Sequence, residues 1–330
     1  MPFVKVSETG EFALIRILQE MVCAHGIPSP MTLGIGDDAA AWRSRDSMEM
    51  TTTDTMVEGV HFLHDFLSWR DLGWKALAVN LSDISAMGGL PLHALVTLGL
   101  KPQTGVDDVK SMYEGMLSAC REYGCAIAGG DIVRSPVTFV TITVVGAATG
   151  HLLTRGAGRL GDVVAVTGPL GCSAGGLKAH LEDITLDPDL KNHLNDAHNR
   201  PVPRIREGQT LVREGVETAM DVSDGLIDDL SKLAVSSGLG AIVCASLVPV
   251  DSYLKRAFPK EYLHLALNGG EDYELLFTGS EDVVARALAA LAPSASIIGR
   301  LVAEGPGRTR VLDDEGAELE TARRGWDHFT

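Results

Sequence analysis

The spacing of apolar positions changes character several times along the chain, and each change marks an element. Residues 11–22 (EFALIRILQEMV) put Phe12, Ile15, Leu18 and Val22 on one helical stripe. The Thr- and Val-rich run at 48–62 (MEMTTTDTMVEGVHF) reads as a strand. Residues 74–87 (WKALAVNLSDISAM) are apolar on most sides and read as a largely buried helix. Strands are expected at 92–100 and 137–148, with a helix over 106–123 between them. The first half is therefore a sheet covered by helices.

At 151–162 (HLLTRGAGRLGD) the periodicity stops in a Gly-rich break, and a new series begins. A strand is expected at 162–168, helices around 173–182 and 203–214, and a helix carrying Leu226, Leu230 and Leu233 after the turn MDVSDGL. Further strands are AIVCASL, YELLFTG and SIIGRLV. Two α/β domains, residues 1–150 and 151–330, are the expected organisation. No short repeat or low-complexity segment interrupts them.

Composition narrows the field of partners. The chain has 330 residues and a formal charge of −16, which disfavours nucleic acid because a phosphate-backbone binder needs a basic face. Its five cysteines include no C-x-x-C pair, and the odd number argues for a reducing compartment rather than a disulfide framework. The opening residues lack a signal-peptide pattern and no apolar run is long enough for a membrane span, so a soluble cytoplasmic protein is expected.

Candidate chemistry lies in the acids. There is no G-x-x-x-x-G-K-[ST] loop. A G-x-G-x-x-G does occur at Gly156, Gly158 and Gly161. The segment after it reads as a strand, so a phosphate there would lack a helix N-terminus and a plain turn is expected. Asp37 and Asp38 stand side by side in LGIGDDAAAW, a costly arrangement unless a cation faces them. Asp54 ends the hydroxyl run Thr51, Thr52, Thr53; Asp83 interrupts an apolar helix; Asp131 follows CAIAGG; Asp221 and Asp224 bracket Ser223. Any one of these alone is as well explained by a cap or turn, Asp224 as cap of the helix after it. Together, acids with Thr and Ser hydroxyls form an oxygen-only ligand set suited to Mg²⁺, which keeps waters and shares phosphate oxygens with a substrate. Zn²⁺ would want His or Cys clusters, and His61 and His64 alone do not supply one. Glu271 and Asp272 follow two glycines and precede an apolar strand, and Trp326 sits in a polar tail.

As a set, GIGDDAA, TTDTMVEGVHF, KALAVNLSDISAMGG, IAGGDIVRS, LTRGAGRLGD, RPVPR, MDVSDGL, GGEDYELLF and GWDHF resemble, in this order, the motifs of thiamine-monophosphate kinases. The resemblance runs from about residue 11 to 329. It implies a two-domain α/β (α+β) fold like that of aminoimidazole ribonucleotide synthetase, with the N-terminal sheet pairing across a homodimer. By that resemblance Asp38, Thr52, Thr53, Asp54, Asp83, Asp131, Asp221 and Asp224 match magnesium ligands. Tyr113, Gly130, Asp131, Arg155 and Ser223 match nucleotide contacts, and His61, Glu271 and Trp326 match positions near the thiamine phosphate. The implied reaction moves the ATP γ-phosphate directly onto thiamine phosphate with several Mg²⁺ ions, giving thiamine diphosphate. The acceptor's second pKa is about 6, so it is already ionised at neutral pH and no general base is required. Two other readings stay open at this stage: an aminoimidazole ribonucleotide synthetase, and a nucleotide-sensing protein that keeps the fold without turnover.

Overall fold

The computed structural model describes residues 11–24, 31–33, 41–42 and 48–320. These fall into two compact units. One holds the described residues up to Ile84 together with Leu90–Ala148; the other holds Ser85–Gly89 and the described residues from Thr149 onward.

The first unit begins with helix α1 (Glu11–Ala24) and the short strands β1 (Met31–Leu33) and β2 (Ala41–Trp42), which pair antiparallel. Strand β3 (Glu49–Val57) is followed by helix α2 (Trp69–Ala86), strand β4 (Gly89–Leu100), helix α3 (Val106–Tyr123), strand β5 (Ala126–Arg134) and strand β6 (Phe139–Ala148). The expected strand at 48–62 stops at Val57, where Gly59 turns the chain at φ 81°. Helix α2 starts earlier than its apolar stripe because Ser68 and Asp71 form a local cap, the Asp71 amide donating to Ser68 Oγ at 3.1 Å. The sheet order is β3-β6-β4-β5, with β4 and β5 parallel and α3 as their crossover. Helices α2 and α3 approach so closely that a Cβ on Gly73 would lie 1.8 Å from the Met112 carbonyl oxygen, and one on Gly115 1.9 Å from that of Arg70. Val96, Leu98, Val140, Ile142 and Val144 on the sheet, with Leu77, Leu81, Met112 and Met116 on the helices, form the buried core.

The second unit is a mixed sheet. It contains strands β7 (Val163–Val166), β8 (Thr218–Asp221), β9 (Gly240–Cys244), β10 (Leu275–Gly279), β11 (Ser296–Val302) and β12 (Thr309–Leu312), in the order β12-β9-β11-β7-β10-β8. Its helices are α4 (Cys172–Leu181), α5 (Pro188–Asn199), α6 (Ile205–Glu214), α7 (Leu226–Ser236), α8 (Ser252–Ala257), α9 (Tyr262–Asn268) and α10 (Glu281–Ala290). Every residue of β7 is buried because both faces are covered. Val164 and Val166 pack with Leu226, Leu230 and Leu233 of α7. Val163 and Ala165 pack with Leu211 of α6 and Val284 of α10. Strand β7 follows the turn at Gly156, Gly158 and Gly161, as the sequence led us to expect. Among the described residues no helix is long and apolar enough to cross a membrane.

Candidate active site

Alternation along β3 separates its hydroxyls. Asp54 pairs with Ile142 and Met56 with Val140, both fully buried, so Thr52, Asp54 and Met56 belong to the helix-covered face. There the Thr52 hydroxyl donates to Asp83 Oδ2 at 2.5 Å, the acid being carried by the last turn of α2. Asp83 is also the acid that acts on Asp54. Crowding by protein atoms, then repulsion from and hydrogen bonding with Asp83, pushes the Asp54 carboxyl up to about 6, even though its residue retains substantial contact with solvent. Thr53 points the other way and accepts from the Thr143 hydroxyl at 2.9 Å on the open face.

Asp131 also lies on that open face. Ala94 pairs with Ile127 but Leu95 with Gly129, so Ala128 is an extra residue in β5, and the bulge shifts the alternation. Asp131 thereby becomes the partner of Thr97 rather than of a core residue, and is exposed. Gly130 lies against β4 so tightly that a Cβ would meet the Val96 carbonyl oxygen at 1.8 Å. Tyr113 is buried in α3, and His61 follows β3 with its Nδ1 accepting from the Val57 amide at 3.1 Å. Thus Thr52, Asp54 and Asp83 come together, while Thr53 and Asp131 lie on the opposite side of the sheet. Asp38 and Trp326 lie outside the described residues.

In the second unit two motifs interlock. MDVSDGL leaves β8 at Asp221, which is buried, and GGEDYELLF enters β10 beside it. The Glu271 amide donates to the Ser223 carbonyl at 2.8 Å, the Tyr273 amide to Val222 at 2.9 Å, and the Val222 amide to Glu274 at 2.8 Å. Gly270 must be glycine, since a Cβ would lie 2.6 Å from the Ser223 carbonyl oxygen. Glu271 and Tyr273 adopt left-handed backbone angles, φ 65° and 53°, a strained arrangement that cross-links of this kind hold in place.

The alternative reading of Asp224 as the cap of α7 gives way to a different arrangement. The cap position is Gly225, without a side-chain bond. A residue the sequence reading missed, Asp229, turns back from inside the helix instead. Its Oδ2 accepts from the amides of Ser223, Asp224 and Gly225 at 3.0, 2.9 and 3.2 Å. Lys232 completes the group: its ammonium binds Asp224, Asp228 at 2.6 Å and Asp229 at 3.0 Å. Burial alone would lower the lysine's pKa, but the bonds to these acids outweigh it and hold the ammonium charged. Burial pushes the Asp229 carboxyl up against the same attraction.

The other loop is equally tied down. Asp272 accepts from the Gly171 amide at 2.6 Å at the start of α4, and burial pushes its carboxyl up to about 8. Glu274 is buried between Thr167, whose hydroxyl donates at 2.6 Å, and the guanidinium of Arg204. Glu271 Oε2 lies 3.3 Å from His198 Nδ1, which is itself 3.0 Å from the Ser173 hydroxyl. Arg155 is exposed, and its carbonyl accepts from Ser237 Oγ at 3.0 Å.

Comparison with known proteins adds to this geometry. Residues 36–149 match the model of the AIR synthase related protein N-terminal domain, and residues 159–311 that of the C-terminal domain. The thiamine-monophosphate kinase of Escherichia coli (strain K12) is 38% identical over 331 residues, covering 97% of this chain and 98% of that protein. The crystal structure of the enzyme from Stenotrophomonas maltophilia K279a has a TM-score of 0.81 at 32% identity, covering 92% of this chain and 96% of that one. A structure of AaThiL complexed with AMPPCP and TMP has a TM-score of 0.77 at 33% identity, with both chains covered completely. The chain therefore belongs to the thiamine-monophosphate kinase family.

Proposed function

We propose that this chain uses ATP to phosphorylate thiamine phosphate, forming thiamine diphosphate and ADP by direct in-line transfer. A relative complexed with AMPPCP and TMP supports the substrate pair. The observation in this chain that carries the reading is the crowding of Asp54 against Asp83 beside the Thr52 hydroxyl. All donors in that group are oxygens, and the two acids repel one another, so they fit a hard divalent cation such as Mg²⁺. Bound there, Mg²⁺ would neutralise phosphate charge that otherwise keeps two anions apart.

The acceptor phosphate is ionised at neutral pH, so the protein's task is positioning rather than proton removal. Thr52, Asp54 and Asp83 would hold the cation; Asp38, Thr53, Asp131, Asp221 and Asp224 are further candidate ligands by family position. Tyr113, Gly130, Asp131, Arg155 and Ser223 are the candidate nucleotide contacts. His61, Glu271 and Trp326 are those for thiamine phosphate, Glu271 being oriented by His198 and the strained loop.

A homodimer accompanies this reading. The open face of the first sheet carries Leu95, 37% exposed, Val133, 40% exposed, and the threonine pairs with Thr143 and Thr141. A second copy covering that face would shield the leucine and valine and place Asp131 at the junction.

Product analysis with ATP, Mg²⁺ and thiamine phosphate tests the function. Equimolar ADP and thiamine diphosphate are expected. ADP release only with the formyl-glycinamidine ribonucleotide substrate would establish the aminoimidazole ribonucleotide synthetase reading, and nucleotide binding without turnover the sensing one.

A further inference from the structure

Apart from the acids already described, the second unit gathers a mixed set of metal-binding side chains. Cys172 begins α4, His193 lies on α5, and Asp251 immediately precedes α8. The Cys172 sulfur, a ring nitrogen of His193 and a carboxylate oxygen of Asp251 all lie within 4.8 Å of one another. We propose that Cys172, His193 and Asp251 form a binding site for a borderline divalent cation of the Zn²⁺ type, distinct from the oxygen-only group that fits Mg²⁺.

Donor chemistry favours this class. Thiolate, imidazole and carboxylate together are a Zn²⁺ set, whereas Mg²⁺ selects oxygen alone. His193 Nε2 and Asp251 Oδ2 are 3.5 Å apart. That is long for a hydrogen bond, but it is close to the edge of a tetrahedron with bonds of about 2.0–2.2 Å. The sulfur, within 4.8 Å of both, supplies the third donor, and the fourth position would be left to water.

The surroundings orient two of the ligands, as supporting groups do in metal sites. Asp251 Oδ1 accepts from the Tyr253 amide at 2.7 Å, which fixes the carboxylate and leaves Oδ2 for the cation. The His193 ring stacks on Tyr253 at 4.1 Å and 17°. Cys172 is buried, and its thiol, held neutral chiefly by burial and then by Asp251 and Asp272, would give up its proton when the cation binds. Such a clip would join α4, α5 and the segment before α8. Gly171 and Ser173, whose amides hold Asp272, flank the cysteine, so the clip would fix the start of α4 beneath the strained loop.

Co²⁺, a spectroscopic stand-in for Zn²⁺, tests the proposal in the purified, chelator-treated full chain. Titration should produce a near-ultraviolet thiolate-to-Co²⁺ charge-transfer band and strong tetrahedral visible bands, both bleached by Zn²⁺ but not by millimolar Mg²⁺. Cys172→Ser, nearly isosteric, should remove the charge-transfer band. His193→Gln, at a part-exposed ring that tolerates exchange, should weaken Co²⁺ binding at least about tenfold. Absence of the band in the parent protein overturns the site. Its survival in Cys172→Ser also overturns it, by assigning the thiolate to one of the other four cysteines. Displacement of Co²⁺ by Mg²⁺ would do the same.

Discussion

Two groups of aspartates, one in each unit, solve the same electrostatic problem in opposite ways. Around Asp54 and Asp83 the neighbours are a hydroxyl and a second acid, and one carboxyl is held up to about 6. Around Asp224, Asp228 and Asp229 the chain supplies an ammonium of its own, with three amides bound to the buried member. The first group gains when a cation arrives. The second already has one and must exchange it if Asp224 is to bind a metal. Residue type alone therefore does not identify a ligand; the charge already standing beside it decides.

The sharpest way to break this contrast is in the first group. Asp54→Asn or Asp83→Asn should lower turnover about 10²–10³-fold, as loss of a charge-stabilising group at a reacting centre does, while the metal-free protein melts no lower than the parent. Near-normal steady-state kinetics in both would remove the cation-holding role.

A second test inverts the other group. Lys232→Met should destabilise the metal-free protein by about 1–2 kcal/mol, a modest figure because the lysine side chain is 38% exposed, and divalent cations should raise its melting temperature more than they raise the parent's. Equal cation responses in calorimetry would show that the ammonium does not compete for these acids.

Asp272 provides a pH signature. Its folded pKa of about 8 lies above the unfolded value of 3.8, so the folded state holds an extra proton between those values. That group's contribution to stability is complete below about pH 4 and is lost as pH rises toward 8. Asp272→Asn should therefore gain on the parent in chemical denaturation between pH 5 and pH 8; a constant difference would refute the buried protonated acid.

The smallest effect separates adjacent threonines. Thr52→Val removes the hydroxyl bound to Asp83 and should reduce turnover measurably. Thr53→Val loses an exposed Thr–Thr pair worth about 0.2–1 kcal/mol and, on the face away from Asp83, should shift the apparent Mg²⁺ requirement less than Thr52→Val does. Equal shifts in that requirement would place both hydroxyls at the metal.

Local patterns made some of this readable. The helix over 106–123 was legible from its apolar stripe, and its limits coincide with Val106–Tyr123. Strand β5 was not, because the Gly129–Gly130 pair breaks the apolar alternation and the bulge at Ala128 moves Asp131 to the other face. Helix α5 was hidden because only Leu190, Leu194 and His198 are buried in an otherwise polar PDLKNHLNDAHN. Within the site, the acids stood out as residues. What escaped was their company: Asp229 and Lys232, three apart on a helix, resemble an ordinary solvated pair until the loop folds back and buries the acid completely. His198, Ser173 and Glu271 meet from three distant segments that no local spacing connects.

Lys232 also bears on how the chain matures. Many proteins with clustered ligand acids finish folding only when their ion arrives, because the unbound acids repel. Here the counter-ion is encoded in the chain and arrives with the middle turn of the same helix. The acids around the MDVSDGL loop can therefore be neutralised from within the chain, whatever the supply of free divalent ions. Assembly of this segment is thus independent of any cation that Asp224 might exchange for the ammonium.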